Sequence, residues 1–164
     1  MNIISWNCRG LGNVKAVPSL KDLVRVYKPD IVILIETLVD SNKISDLSYI
    51  LGFENHFFVN RIGRSGGLAI LWRNNINCSL LNYPHNFINM AISDPIKGNW
   101  KLIAFYGYSD SSRQYESWDL LHHLRSISND PWCIIGDFND QLSSVDKRGG
   151  LTALLGLFVG FVKL

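Results

Sequence analysis

The sequence lacks the cysteine pattern of a secreted scaffold. Its three cysteines, Cys8, Cys78 and Cys133, are odd in number and far apart. That spacing excludes a disulfide framework and a zinc site, and it fits free thiols in a reducing compartment. A charge excess is also missing: the net charge is +2 and the pI is near 8.5. Composition therefore permits a polyanionic substrate without pointing to one. No apolar run reaches the roughly 20 residues that a membrane-spanning helix needs, so no membrane partner is expected. The opening MNIISWNCRG has no basic stretch ahead of an apolar segment, which excludes a secretory signal and implies an intracellular protein, in nucleus or cytoplasm. Repeats and low-complexity linkers are absent, nothing predicts a protein partner, and oligomeric state is left open. What the sequence does have is 164 residues, 47% of them hydrophobic, enough for one domain with a real core.

The order of elements reads as mixed α/β. NIISWNC alternates like a strand and breaks at the loop RGLGN. Leu20, Leu23, Val24 and Tyr27 recur at i, i+3, i+4 and i+7 as one helix face, which KPD ends because Pro29 disfavours a helical residue before it. DIVILIET is a β-branched and aliphatic run of the kind buried on both faces. A short helix in SNKISDLSYILG is followed by strands in HFFVNR and GGLAILWRN, with the Gly63 to Gly67 segment GRSGG as the turn between them. That turn lacks the Lys-Ser/Thr ending of a P-loop. NCSLLNY, FINMAIS and WKLIAFYGY predict an antiparallel run, which disfavours an all-parallel fold. Ser111 and Gln114 have capping-box spacing, and Trp118, Leu121, Leu124 and Ile127 carry a helical stripe. His122 and His123 fall mid-helix and read as surface residues. The last predicted strand is PWCIIGDFN.

Four strand-like runs end in polar residues: Asn7, Glu36, Tyr106, and Asp137 with Asn139. Each alone has a plain explanation, as a turn former, a solvated carboxylate or a core-edge aromatic. Together they look like a site assembled at strand ends. The residue types suit one chemistry. Glu36 is a hard oxygen ligand of the kind Mg²⁺ takes. Asp137 can orient or deprotonate water, Asn7 and Asn139 can hydrogen-bond a phosphate or the carboxylates, and the Tyr106 hydroxyl can reach a phosphate oxygen.

SWNCRGLGN, KPDIVILIET, GRSGGLAILW, FYGY and IIGDFND, in this order, resemble the endonuclease/exonuclease/phosphatase superfamily. Within it they are most similar to the apurinic-type endonuclease domain of plant non-LTR (LINE-type) retrotransposons. The resemblance implies a four-layer α/β sandwich, two mixed β-sheets flanked by helices. It also implies a phosphodiesterase that nicks DNA using Mg²⁺, or Mn²⁺ in its place. By resemblance Glu36 is the metal ligand, and Asn7, Tyr106, Asp137 and Asn139 are catalytic. Arg9 stands where some relatives have a second acidic ligand, and Tyr106-Gly107-Tyr108-Ser109 replaces Tyr-x-Pro-Asn. The similarity runs from Met1 to about Gly150. It implies an endonuclease-like portion over 1–150, an atypical apolar tail over 151–164 (LTALLGLFVGFVKL), and a sandwich incomplete at its C-terminus without the family's late Ser-Asp-His motif.

Three functions follow as expectations. The first is a DNA endonuclease fragment, weakly active or inactive without the terminal Asp-His pair. The second is a non-catalytic remnant that at most binds nucleic acid weakly through Arg61, Arg64, Arg73 and neighbouring aromatics. The third is a phosphomonoesterase of the same superfamily.

Overall fold

The computed structural model describes residues 1–63, 66–127 and 129–139, and the backbone of 156–158. Strands β1 (Ile3–Asn7), β2 (Ile31–Ile35), β3 (Asn55–Val59), β4 (Leu68–Trp72) and β9 (Gly156–Phe158) form one sheet in the order β3-β4-β2-β1-β9. Strands β5 (Cys78–Asn82), β6 (Phe87–Asp94), β7 (Gly98–Tyr106) and β8 (Trp132–Asp137) form a second sheet in that order. Helices α1 (Ala16–Tyr27) and α2 (Ser41–Leu51) precede β2 and β3, and α3 (Gln114–Ser126) precedes β8.

Strand alternation sorts the side chains into three apolar clusters, and the clusters define four layers. Val32 and Leu34 of β2 and Ala69 and Leu71 of β4 pack against Leu20 and Val24 of α1 and Ile44 and Leu47 of α2. The alternate residues Ile31, Ile33 and Ile35, with Leu68 and Ile70, face Ile88, Met90, Leu102, Ala104 and Ile135 across the gap between the sheets. Ile103 and Phe105, on the other face of β7, cover Leu121 and Leu124 of α3. The order is therefore α1/α2, sheet, sheet, α3: an α/β sandwich of two mixed sheets with flanking helices.

One feature of topology decides where the site falls. Each sheet is mostly antiparallel but contains one parallel pair, β1/β2 and β7/β8. Parallel neighbours need a crossover, and α1 and α3 lie in the two crossovers. In each pair both strands therefore finish at the same edge.

Local signals agree with most of the sequence reading. Helix α1 stops at Tyr27, with Lys28 in the left-handed conformation donating its N–H to the Val24 carbonyl. Helix α2 begins on Asp40, whose side chain accepts from the Lys43 N–H, and ends at left-handed Gly52. The capping box at Ser111 and Gln114 is not formed. Asp110 accepts from the Ser112 N–H and starts a 3₁₀ turn over Ser111–Arg113, and the Gln114 side chain instead donates to the Asn139 carbonyl. Nor does the α3 stripe reach Ile127, which lies past the helix end and is 55% exposed. Tyr27 is likewise exposed at the end of α1. His122 and His123 are on the surface, as expected. Of the apolar tail, β9 pairs antiparallel with β1; the rest of 151–164 lies outside the described residues, as do Arg64 and Ser65 of the GRSGG turn. None of the described helices is long and apolar enough to cross a membrane.

Candidate active site

Parallel register places the predicted residues side by side. Asn7 is paired with Ile35, next to Glu36, and Tyr106 is paired with Asp137. Asn7 shares the alternation of Ile3, Tyr106 that of Leu102 and Ala104, and Asp137 that of Ile135. All three side chains thus point toward the seam between the sheets. Glu36 follows Ile35, which already faces the seam, so continued alternation would send it to the α1/α2 side. Its φ of +54° breaks that alternation.

Two hydrogen bonds then cross from sheet to sheet. Asn7 Nδ2 donates to Asp137 Oδ2 at 2.8 Å, and the Tyr106 hydroxyl donates to Glu36 Oε1 at 2.9 Å. Each bond joins a neutral donor on one sheet to a carboxylate on the other. Asp137 is held from a second side by the Asn139 N–H on Oδ1 at 3.0 Å. Asn7 Oδ1 in turn accepts from the Arg9 N–H at 3.1 Å, which fixes the amide with its Nδ2 toward Asp137. Asn139 has a φ of +51° and donates Nδ2 to the Gly107 carbonyl at 2.7 Å. The structure thus brings together all five predicted residues, each of them half-buried.

Glycines set the close approach. A Cβ on Gly136 would lie 1.8 Å from the Phe105 carbonyl oxygen, and one on Gly107 would lie 2.2 Å from that of Phe138. The Gly-Asp pair in IIGDFND therefore reflects a place where only hydrogen fits, one residue before the carboxylate. Gly67 does the same for Glu36: its carbonyl accepts from the Thr37 N–H at 3.1 Å, and a Cβ there would meet Thr37 Oγ1 at 2.3 Å.

Electrostatics separate the roles. Burial, then the hydrogen bond to Glu36 and the charges of Glu36 and Asp137, push the Tyr106 phenol well above its ordinary range, so it is a proton-bearing donor and no phenolate. Cys8, adjacent in sequence to Asn7, is pushed up to about 12, chiefly by burial, and its thiol donates to the Ile35 carbonyl at 3.1 Å. It takes no part as a nucleophile.

Next to Tyr106 opens a cavity of about 290 Å³, lined by Ile62, Gly66, His85, Asn86, Tyr108 and Arg113 among others. Of these, the sequence marked Tyr108, through the FYGY motif, and Gly66, through the GRSGG turn. Arg113 follows Tyr108 by only five residues and His85 precedes it by 23, and no motif marked either as part of a site. Of the arginines expected to form a nucleic-acid surface, Arg61 and Arg73 do not share one patch. Arg61 lies beyond the end of β3 at the site edge, whereas Arg73 follows β4 at the opposite edge. There Arg73 Nε and Nη1 donate to the Pro29 and Gly52 carbonyls, both at 3.1 Å, and its guanidinium sits 4.8 Å from the Phe53 ring centre. It is a structural clamp between α2 and the start of β2.

Comparison with known proteins agrees with this architecture. The solved AP endonuclease of Archaeoglobus fulgidus is 19% identical with a TM-score of 0.65, covering 91% of this chain and 61% of its own. D. rerio TDP2 complexed with single strand DNA product is 20% identical, TM-score 0.61, covering 86% and 61%. The endonuclease domain of TRAS1, a telomere-specific non-LTR retrotransposon, is 14% identical, TM-score 0.61, covering 85% and 59%. The chain thus spans less than two thirds of the length of each of these three structures. Among curated proteins, none matches. A family profile covers residues 4–161, almost the whole sequence, and with the sandwich and its strand-end site it places the chain in the Endonuclease/Exonuclease/phosphatase family.

Proposed function

We propose that this chain is a divalent-metal phosphodiesterase that cuts DNA, of the kind carried by LINE-type retrotransposons. The observation that carries the reading is the pair of cross-sheet hydrogen bonds, Asn7 to Asp137 and Tyr106 to Glu36. They bring two carboxylates and two neutral donors to one mouth, where a phosphate and a water can be held at once. DNA as substrate is supported by the similarity to an AP endonuclease, to a TDP2 bound to a single strand DNA product and to a retrotransposon endonuclease domain. The motifs WNCRGLG and SGGLAILW, with their plant LINE resemblance, support the narrower origin.

The donor set fits Mg²⁺, or Mn²⁺, better than zinc. Among the described residues there is no group of three His, Cys, Asp or Glu to build a closed site. Glu36 offers an oxygen-only carboxylate whose Oε1 is engaged by Tyr106. One or two carboxylates completed by water and phosphate is the usual Mg²⁺ arrangement. Bound at Glu36, the ion would offset charge on the phosphate oxygens. Asp137, oriented by Asn7 and the Asn139 N–H, takes a proton as water attacks phosphorus and the ester P–O bond breaks. Tyr106 donates to a phosphate oxygen once its hydroxyl turns from Glu36 to the bound phosphate. The leaving oxygen takes its proton from solvent. All five residues fall within 1–150, the portion we assign as the endonuclease-like domain.

Supercoiled-plasmid nicking with Mg²⁺ tests this. Glu36→Gln and Asp137→Asn should each lower the rate by a factor of roughly 10²–10⁴, while retaining the native thermal transition. Nicking at an unchanged rate in both variants would refute the site.

A further inference from the structure

We propose that the cavity beside Tyr106 is a base-binding subsite: it takes one nucleobase of the bound strand, adjacent to the phosphate, stacked on Tyr108 with His85. The inference rests on the DNA phosphodiesterase reading and adds to it which part of the substrate is gripped.

The walls of the cavity are flat, rigid and close to charge-neutral. The Tyr108 backbone N–H donates to the buried Ser117 hydroxyl of α3 at 3.0 Å, which ties its loop to a helix. Its phenol lies 3.3 Å from His85 Nε2, and the two rings are 5.9 Å apart at a tilt of 58°. The Arg113 guanidinium covers the Tyr108 ring, 4.1 Å from its centre.

The charge balance selects a base over a second phosphate. Arg113 is already held by two hydrogen bonds to Glu116, Nε to Oε1 at 2.7 Å and Nη2 to Oε2 at 2.8 Å. Its charge is matched and its plane already backs one face of the Tyr108 ring, so it offers no free cation to a phosphate. Asp110 lines the same cavity and would repel an anion. At about 290 Å³ the space is at the small end of the range for ligand pockets, roughly 300–1,000 Å³, suited to one base and not to a large cofactor. Aromatic stacking is sequence-tolerant because every base has a π face, so the subsite grips a base without reading its identity. Tyr106 belongs both to this wall and to the Glu36 hydrogen bond, which makes the base that enters a close neighbour of the reacting phosphate.

The test measures binding of a short single-stranded oligonucleotide in EDTA, so that cleavage does not intervene. A single abasic position is moved along the strand. For the unaltered chain, one position should weaken binding by about tenfold when its base is missing. Tyr108→Ala should bind the intact strand about tenfold more weakly and lose all sensitivity to the abasic position, whereas Tyr108→Phe should keep both. Loss of affinity in Tyr108→Ala with the positional sensitivity intact overturns the subsite, and so does an unaltered chain for which no position matters. Plasmid nicking with Mg²⁺, run in parallel, separates the two readings. Position-sensitive binding without nicking keeps the subsite and removes the hydrolytic assignment, while nicking with a uniform abasic scan does the reverse.

Discussion

Glu36 stands one residue past β2 with a positive φ, a conformation that ordinary residues adopt at a cost of order 1–3 kcal/mol. Arg9, Leu38 and Asn139 share it, all near the ends of β1, β2 and β8. At Glu36 the strain lies where the backbone leaves its alternation and the side chain reaches Tyr106 across the seam. Cys8 shows the other side of the same crowding. Because its thiol is buried and pushed up to about 12, whereas an unfolded thiol ionises near 9, folding keeps a proton that the unfolded chain releases. The associated stability is complete below pH 9 and declines as pH rises toward 12. Cys8→Ala should therefore flatten the loss of urea stability between pH 8 and 10.5 relative to the unaltered chain. In a thiol-reagent titration of the native protein at pH 8, Cys8 should stay unlabelled until denaturant is added, while half-buried Cys78 and Cys133 react first.

At the scale of elements, the β7/β8 pair shows why a glycine precedes the site carboxylate. Phe105 faces Gly136 and Tyr106 faces Asp137 in parallel register. A methyl group at Gly136 would overlap the Phe105 carbonyl. Gly136→Ala should destabilise the fold by about 3 kcal/mol, the upper part of the range for overpacked sites, read as a lowered urea midpoint at constant m-value. Elements of this kind were legible in the sequence where periodicity is strong. IVILI reads as buried on both faces because both faces are covered, by α1/α2 and by the second sheet. Ends were less legible. Asp110 displaced Ser111 as the capping residue, since either side chain can satisfy the first N–H groups and only the turn geometry chooses.

For the whole molecule, the site is shared between layers: Asn7 and Glu36 come from one sheet, and Tyr106, Asp137 and Asn139 from the other. Packing between the sheets therefore sets the distances among the proposed site residues. Ile33→Ala in the seam and Leu20→Ala beneath α1 remove side chains of the same volume from fully buried positions. Each should cost about 2–5 kcal/mol of stability. Measured at a temperature where both variants remain folded, nicking per folded molecule should fall in Ile33→Ala and stay near the unaltered value in Leu20→Ala. Equal activity in the two would mean that the seam does not position the site.

Alternation, helical periodicity and turn residues determined the mixed α/β class, because each reports burial within a few residues along the chain. The same local signals placed polar side chains at the ends of strand-like runs, and five ordered motifs tied them to a family. Which of those ends meet was decided only by the tertiary structure. The crossovers through α1 and α3 bring paired strands to a common edge, and the seam brings the two edges within hydrogen-bonding distance. Only there do Asn7 and Asp137, 130 residues apart, share a proton donor and acceptor. The cavity beside Tyr106 has the same origin: Ile62 with Gly66, His85 with Asn86, and the stretch from Tyr106 to Arg113 are separate segments that only the fold brings together.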